Sequence, residues 1–149
     1  MKVKRFLTEE PSIRKTLLRG TAVWLLLISA EVLHGIARTA LLAPKTGDFK
    51  ARQISVFSGS VLILSITYLT IRWVGSRNKN TLLRLGIVWL LLTLLFEFVL
   101  GRKGLHLSWH RLLSDYNLRK GGLQPIGLAI MTGAPLLMER LKSRHQHLL

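Results

Sequence analysis

The sequence predicts an all-α membrane protein with four transmembrane helices arranged as two similar hairpins, and with a short interfacial helix before the fourth. Two observations support this fold class. Hydrophobic residues make up 49% of the 149 residues, yet 22 Lys and Arg stand against 7 Asp and Glu, and the basic residues lie between long apolar runs. Membrane-spanning chains have this order. In addition, polar residues in two of those runs recur about 65 residues apart, which indicates an internal duplication.

The net charge is compatible with several partners, and the apolar runs decide between them. A net charge of +15 is typical of nucleic-acid binders, but a small nucleic-acid-binding domain would not contain runs such as VWLLLISA and IVWLLLTLLF. We therefore expect no nucleic-acid partner. The basic residues are expected to meet anionic lipid headgroups of the bilayer, with an attraction of roughly 1 kcal/mol per residue near the surface.

The residue types also restrict the chemistry. The chain has no cysteine, which excludes disulfides, thiolate metal sites and cysteine nucleophiles. It has no glycine-rich nucleotide motif, no HExxH pair and no Ser-x-Gly elbow. We therefore expect no cofactor and no metal, assign no catalytic residue, and regard an enzyme as the less favoured class.

Residues 1–16 are predicted to form a basic lead-in on the cytoplasmic side. Glu9, Glu10 and Pro11 interrupt the segment before the first apolar run, which is not the pattern of a cleavable signal peptide. We therefore expect the first apolar segment to be retained as an anchor, and residues 1–149 to form a single membrane domain.

The first hairpin consists of two predicted spans. The first covers about 17–42 and is long enough, at ~1.5 Å per residue, to cross a hydrocarbon layer of ~30 Å; Pro44 and Gly47 are expected to end it. The second covers about 54–74 and carries small and hydroxyl residues along its length. Such residues let helices approach closely in lipid, so this face is expected to pack against a neighbour.

The second hairpin consists of two predicted spans that differ in composition. The segment 82–100 is the most uniformly apolar of the four and has one acidic residue, Glu97. The segment 123–141 contains two prolines and two glycines, so it is expected either to span with a kink or to be re-entrant. Between them, SWHRLLSDY has apolar residues at helical spacing behind a possible Ser108 cap. This pattern predicts a short helix in the membrane interface, with its aromatic residues at headgroup level.

The distribution of Lys and Arg predicts the orientation. With four spans, one side of the membrane holds 13 of the 22 basic residues, including those of both termini, and the other side holds 9. Cytoplasmic loops carry the excess of basic residues. We therefore expect a multi-pass protein with both termini in the cytoplasm.

An internal repeat relates 17–77 to 82–144. The pattern LLRxxxVWLLL occurs at 17–27 and again, with identical spacing, at 82–92. Further pairs follow at nearly the same offset: Glu31 with Glu97, Arg38 with Arg102, the loop Asp48 to Arg52 with the loop Asp115 to Arg119, and Ser76-Arg77 with Ser143-Arg144. Two copies of a two-span hairpin would share one topology and be related by an axis along the membrane normal.

The candidate site is centred on the stretch AEVLHGIAR. Glu31, His34 and Arg38 are three and seven residues apart, so they project from one stripe of a helix. Ionisable groups within a span cost ~2.5 to 3.5 kcal/mol each and normally face a protein interior or a wet cavity. The repeat predicts which other residues reach the same vestibule in the outer half of the membrane: Glu97, Arg102, Asp48, Arg52, Asp115 and Arg119.

Two interpretations of this stripe are open. In the functional one, a carboxylate binds a cation or a proton, His34 titrates beside it and arginines hold an anionic group. In the structural one, Glu–Arg pairs neutralise each other and hold the hairpins together. The corresponding protein classes are a small transport or ligand-binding protein, a non-catalytic accessory subunit of a larger membrane complex, and a lipid-modifying enzyme with Glu31 or Glu97 as acid-base. Because four helices rarely enclose a complete pathway, we also expect a homo-oligomer or a larger complex.

The Ala30-Glu31 pair, in the first of four short helices, resembles the small multidrug-resistance transporters. In that family the glutamate is the proton and substrate site, so the resemblance implies proton-coupled transport through Glu31. It covers only part of the first span. The basic termini, Arg38 and the extended connection before the fourth helix depart from the family pattern, so we do not assign the chain to it.

Overall fold

The computed structural model describes residues 11–149. Of the described residues 86% are helical and none forms a strand, which confirms the all-α prediction. Most of the predicted lead-in, residues 1–10, lies outside the described residues. The helices are α1 (Ile13–Ala37), α2 (Ala43–Thr46), α3 (Asp48–Val74), α4 (Lys79–Val99), α5 (Trp109–Ser114) and α6 (Gln124–His147).

The first helix is longer than predicted at both ends. The Ser12 side chain accepts a hydrogen bond from the backbone N–H of Lys15 and caps α1 four residues before the expected start. After α1, the π-helical segment Arg38–Leu42 leads directly into α2, so the helix continues through Pro44. Pro44 is tolerated because it lies in the first turn of α2, where its missing N–H is not needed. The chain turns only at Gly47, whose φ of 87° favours glycine.

The other boundaries are set by capping residues that apolar runs do not show. Helix α3 begins at Asp48, six residues before the predicted span, and its acidic first residue favours the positive end of the helix dipole. It ends at Gly75, where φ is 89°. Helix α4 begins after Asn78, whose side chain accepts hydrogen bonds from the N–H groups of two following residues, and continues as the π-helical segment Leu100–Gly104.

Three helices are long and apolar enough to cross a membrane: Ile13–Thr46, Asp48–Val74 and Lys79–Gly104. Their outward faces carry large exposed apolar side chains, including Leu33 and Leu69, as expected for a membrane protein. Helix α6 is not among the three within residues 11–149, so four spans are not confirmed. It is nevertheless a single α-helix that runs through Pro135, rather than the re-entrant segment that was one of the two expectations.

The helices form a bundle in which α1 and α6 each pack against both α3 and α4. The core lies in the half of the bundle that contains the α3–α4 turn, and Leu27, Leu82 and Leu85 are fully buried there. Two tryptophans connect α1 to α4: the indole N–H of Trp24 donates to Thr93 Oγ1 (3.0 Å), and that of Trp89 donates to the carbonyl oxygen of Gly20 (2.9 Å). This half is apolar and closely packed.

The opposite half is polar and is covered by the connection between α4 and α6. The predicted interfacial helix is present as α5, and Ser108 caps it by accepting a hydrogen bond from the N–H of Arg111 at 3.2 Å. Trp109 is 55% exposed, which is compatible with an interfacial position. Tyr116, in contrast, is turned inward and contacts Glu97.

Candidate functional site

A cavity of about 140 Å³ lies in the polar half of the bundle, between α1, α3, α4 and α6 and beneath the α5 connection. Six of the nine predicted site residues line it: Glu31, His34, Arg38, Arg52, Glu97 and Asp115. Further polar lining comes from Gln53, Ser55, Ser60, Thr93 and Gln124. Carboxylates and guanidinium groups from different helices therefore share one enclosed space.

Glu31 lies directly against the backbone of α3. A Cβ at Gly59 would be 3.0 and 3.2 Å from its two carboxylate oxygens, so only glycine leaves this position free. Glu31 Oε2 is 3.6 Å from His34 Nδ1, and His34 Nε2 is 2.8 Å from Ser58 Oγ. Glu31 Oε1 is buried and has no hydrogen-bond partner. The imidazole thus lies between the carboxylate and an exposed serine of the neighbouring helix.

Glu97 has a different environment in the same cavity. It accepts a hydrogen bond from the Tyr116 hydroxyl and a second from Gln124 Nε2 at 2.5 Å. Burial, and then the negative charge of Glu97, raise the pKa of Tyr116, so the phenol stays protonated and remains a donor. The Tyr116 ring stacks on Phe98, with ring centroids 5.9 Å apart. Glu97 is therefore held by uncharged donors.

Arg38 contributes a guanidinium group to the cavity without a carboxylate bound to it. Among residues 11–149 no ion pair or side-chain hydrogen bond involves Arg38, and its Nε is buried without a partner. Since arginine remains charged under physiological conditions, the cavity contains one cation that is not neutralised by direct contact.

The remaining charges at this end form a closed network of two aspartates and two arginines. Arg52 Nε donates to Asp115 Oδ1 at 2.8 Å, and Arg52 also pairs with Asp48. Arg111 is 3.1 Å from Asp115 and 3.3 Å from Asp48. We call these four residues the Asp–Arg network. It joins the start of α3 to the end of α5 and so fixes the connection over the cavity.

Three predicted site residues do not line the cavity. Arg102 donates to the carbonyl oxygen of Leu107 at 2.7 Å and stacks over Trp109 at 5.0 Å. Arg119 is exposed and lies outside the Asp–Arg network. Asp48 belongs to that network but not to the cavity wall. Of the two Asp-to-Arg loops, both aspartates and one arginine, Arg52, belong to the Asp–Arg network, while Arg119 does not.

No protein-family model, curated protein or solved structure matches this chain. The partial resemblance to small multidrug-resistance transporters therefore remains a likeness at Ala30-Glu31 and carries no further residue.

Several residues of this end were not singled out by the sequence. Gln124 and Tyr116 both donate to Glu97, and nothing in their local pattern indicates a contact with a residue on another helix. Arg111 carries such a signal, since it precedes Asp115 by four residues in the predicted short helix, the spacing of a helical ion pair. Within residues 11–149 no group of three or more His, Asp or Glu is placed to hold a metal ion.

Proposed function

We propose that this protein is a small membrane transport or ligand-binding protein whose cavity binds a cation or a proton at Glu31 and Glu97. The observation that carries the proposal is the separation of two charge systems. The Asp–Arg network satisfies two aspartates and two arginines among themselves. Glu31 and Glu97 line the adjacent cavity, and within the described residues neither forms an ion pair with an arginine.

This separation bears on the two interpretations of the AEVLHGIAR stripe. A structural role through Glu–Arg pairs would place an arginine against Glu31 or Glu97. The partner of Glu31 is His34 instead, and those of Glu97 are a phenol and an amide. Placing charged groups in a membrane helix is expensive, and these two are not compensated by opposite charges in contact. A ligand that supplies the missing charge accounts for their retention.

The proposal includes the finer architecture that the sequence indicates: four spans as two similar hairpins, both termini in the cytoplasm and the cavity in the outer half. Two features support it. Each π-helical segment, Arg38–Leu42 and Leu100–Gly104, directly follows the first helix of a hairpin and has five residues. Helix α6 has 24 residues, about 36 Å at 1.5 Å per residue, and packs against α3 and α4.

In the proposed mechanism Glu31 binds and releases a cation or a proton, and the hydrogen bonds of His34 change when it does. An ionised Glu31 attracts a cation or a proton into the cavity, while Arg38 attracts an anionic group. His34 contacts Glu31 on one side and Ser58 on the other, so a change in the charge of Glu31 alters the donor and acceptor roles of the imidazole. Because Ser58 is exposed, this chain of contacts connects the cavity to the outer surface of α3.

A pH-jump experiment on proteoliposomes tests the proposal. Protein reconstituted on a solid-supported membrane is exposed to rapid changes of pH, and the transient current from proton binding or transfer is recorded. We expect wild type to give a current above empty liposomes, and both Glu31→Gln and Glu97→Gln to reduce it. Glu139→Gln is the matched control, because Glu139 is buried on α6 but does not line the cavity. A wild-type response no larger than that of empty liposomes would overturn the proposal.

One observation favours the enzyme alternative. Ser58, His34 and Glu31 follow each other in the order nucleophile, base and carboxylate that serine hydrolases use. Ser58 lies within α3, however, where backbone N–H groups bond to the helix itself and are not free to stabilise an oxyanion. Labelling of Ser58 by a fluorophosphonate that is lost in both Ser58→Ala and His34→Ala would favour the enzyme.

An accessory subunit could use the small residues of the second span to contact a larger membrane complex. Ser55, Gly59 and Ser60 are buried within the chain itself and line the cavity. These three residues pack within the chain, whereas Ser58 and Ser65 of the same helix are exposed and are the small residues that a partner subunit could contact.

A further inference from the structure

The buried polar atoms that lack hydrogen bonds are concentrated at one place. In the described part of the chain five side-chain nitrogen or oxygen atoms are buried without a hydrogen-bond partner, and four of them belong to residues that line the cavity: Glu31, Arg38, Arg52 and Ser55. The fifth, on Thr16, is not part of the cavity wall. Native proteins rarely leave such atoms unsatisfied. Arg52 Nη1 contacts Asp48 Oδ2, and the other three atoms mark the cavity as a place where a polar molecule can bind.

The chemistry of these atoms restricts that molecule. Arg52 is neutralised by its two aspartates, which leaves a carboxylate oxygen of Glu31, the Nε of Arg38 and the hydroxyl of Ser55. The carboxylate requires a donor or a cation, and the guanidinium group requires an acceptor or an anion. Ser55 can serve either, and the residue is only 7% exposed. The cavity thus needs a donor or a cation at Glu31 and an acceptor or an anion at Arg38.

The spacing of the two charged residues allows one small ligand to meet both. Glu31 and Arg38 are seven residues apart on one helix, so their backbones are about 10 Å apart along its axis. Arg38 Nη2 lies 3.8 Å from where a Cβ of Gly35 would be, so the guanidinium group is folded back along the helix toward Glu31. A ligand that binds both residues must therefore carry its ammonium and acid groups only a few bonds apart. The cavity of about 140 Å³ admits a molecule of only a few non-hydrogen atoms.

We infer that the cavity binds a small zwitterion, with its ammonium group at Glu31 and its carboxylate or phosphate group at Arg38. This inference rests on the proposed function and names the ligand class for the same site. A simple cation would leave Arg38 without a partner, and a simple anion would leave Glu31 without one. The same chemistry occurs in water-soluble amino acids and in the headgroup of an ethanolamine phospholipid, so the experiment includes both sources.

Ligand-dependent thermal unfolding of the detergent-purified protein tests the inference. The four tryptophans report unfolding by fluorescence. The probes are β-alanine and phosphoethanolamine, which carry both charges, and propionate and ethylammonium, which carry one each on a similar skeleton. A ligand that binds only the folded state raises Tm in proportion to its occupancy. We expect a concentration-dependent rise with at least one of the two bipolar probes, and a smaller rise with an equal mixture of the singly charged ones.

Variants assign the two ends of the ligand. Glu31→Gln and Arg38→Gln are each expected to weaken binding of the bipolar probe by at least about tenfold, since each removes a charge-assisted hydrogen bond. Arg119→Gln, an exposed position outside the cavity, is the matched control and should bind like wild type. An equal response to the singly charged mixture, or no response to any probe, would overturn the inference.

Two further comparisons distinguish a lipid headgroup from a soluble ligand, and zwitterion binding from the proposed proton binding. In nanodiscs of phosphatidylglycerol, soluble phosphoethanolamine should bind; if it no longer binds in nanodiscs containing phosphatidylethanolamine, the lipid headgroup is the occupant, and equal binding in both identifies a soluble solute. The pH-jump current is measured without any probe. A current without zwitterion binding refutes this inference alone, and zwitterion binding without a current refutes the proton-binding function alone.

Discussion

Asp115, at the end of α5, accepts a hydrogen bond of 2.8 Å from Arg52 Nε near the start of α3. Through this contact the Asp–Arg network connects two segments that are 63 residues apart and holds the α5 connection over the cavity. Arg52 also lines the cavity, so the network and the cavity share one wall. Among the described residues the four charges of the network nevertheless pair only with one another.

Asp115→Asn is expected to destabilise the protein. The substitution removes the negative charge between Arg52 and Arg111 and leaves two cations facing Asp48 alone. Both side chains of the Arg52–Asp115 pair are less than a third exposed, and removing one partner of such a pair costs about 2 to 3 kcal/mol. Thermal unfolding in detergent measures the loss. Arg119→Gln serves as the control, and an unchanged Tm for Asp115→Asn would show that the network does not stabilise the fold.

Gly86→Ala is expected to weaken the contact between α4 and α6. A Cβ at Gly86 would overlap the carbonyl oxygen of Thr132, which belongs to the α6 backbone and cannot move alone. Overpacking of this kind costs about 1 to 3 kcal/mol. Gly133→Ala is the control, because a Cβ there meets nothing within 4 Å. Equal Tm values for the two variants would contradict the close approach of the helices.

Gly59→Ala is expected to impair function more than stability. The new Cβ would lie 3.0 Å from Glu31 Oε2 and 3.4 Å from His34 Cε1, and both are the far ends of side chains that can rotate away. The carboxylate therefore moves while the helices stay in place. We expect a reduced pH-jump current with a nearly unchanged Tm. Gly127→Ala, on another wall of the cavity, makes only an ordinary 3.5 Å contact and should retain the current.

The raised pKa of Tyr116 predicts a loss of stability in alkali. Above a pH of about 10 the unfolded chain releases the phenolic proton while the folded chain keeps it, so the free energy of unfolding falls as pH rises. The slope for one proton is about 1.4 kcal/mol per pH unit. Tm measured between pH 8 and 11 should therefore fall less steeply for Tyr116→Phe than for wild type. Parallel curves would show that Tyr116 ionises equally in both states.

The sequence predicted the features that depend on composition and on one helix at a time. The apolar runs predicted the long helices, and the three- and seven-residue spacing predicted that Glu31, His34 and Arg38 share a stripe; all three line the cavity. The helix ends were misplaced because capping by Ser12 and Asn78 lies outside the apolar runs.

Contacts between helices could not be predicted in the same way. The charge pattern of the two loops favoured Arg119. The arginines that contact Asp115 are instead Arg52 of α3 and Arg111, which precedes Asp115 by one helical turn. Of the two donors to Glu97, Tyr116 lies in the connection that differs between the two hairpins, and Gln124 is the first residue of α6. An internal repeat predicts corresponding residues in both copies. It therefore gives no prediction for the extra helix α5, which only the second hairpin contains.

Thermal unfolding of wild type, Glu31→Gln and Arg38→Gln in detergent, across pH 5 to 8, tests the central claim that these charges are held for a ligand and not for the fold. Neither residue is paired with the other or with the Asp–Arg network. We therefore predict that each substitution leaves stability within about 0.5 kcal/mol of wild type or raises it, since a charge that has no arginine or aspartate in contact with it is replaced by a neutral amide. If both substitutions instead lower Tm strongly and their effects are not additive, Glu31 and Arg38 belong to one structural charge pair, and the cavity is not a binding site.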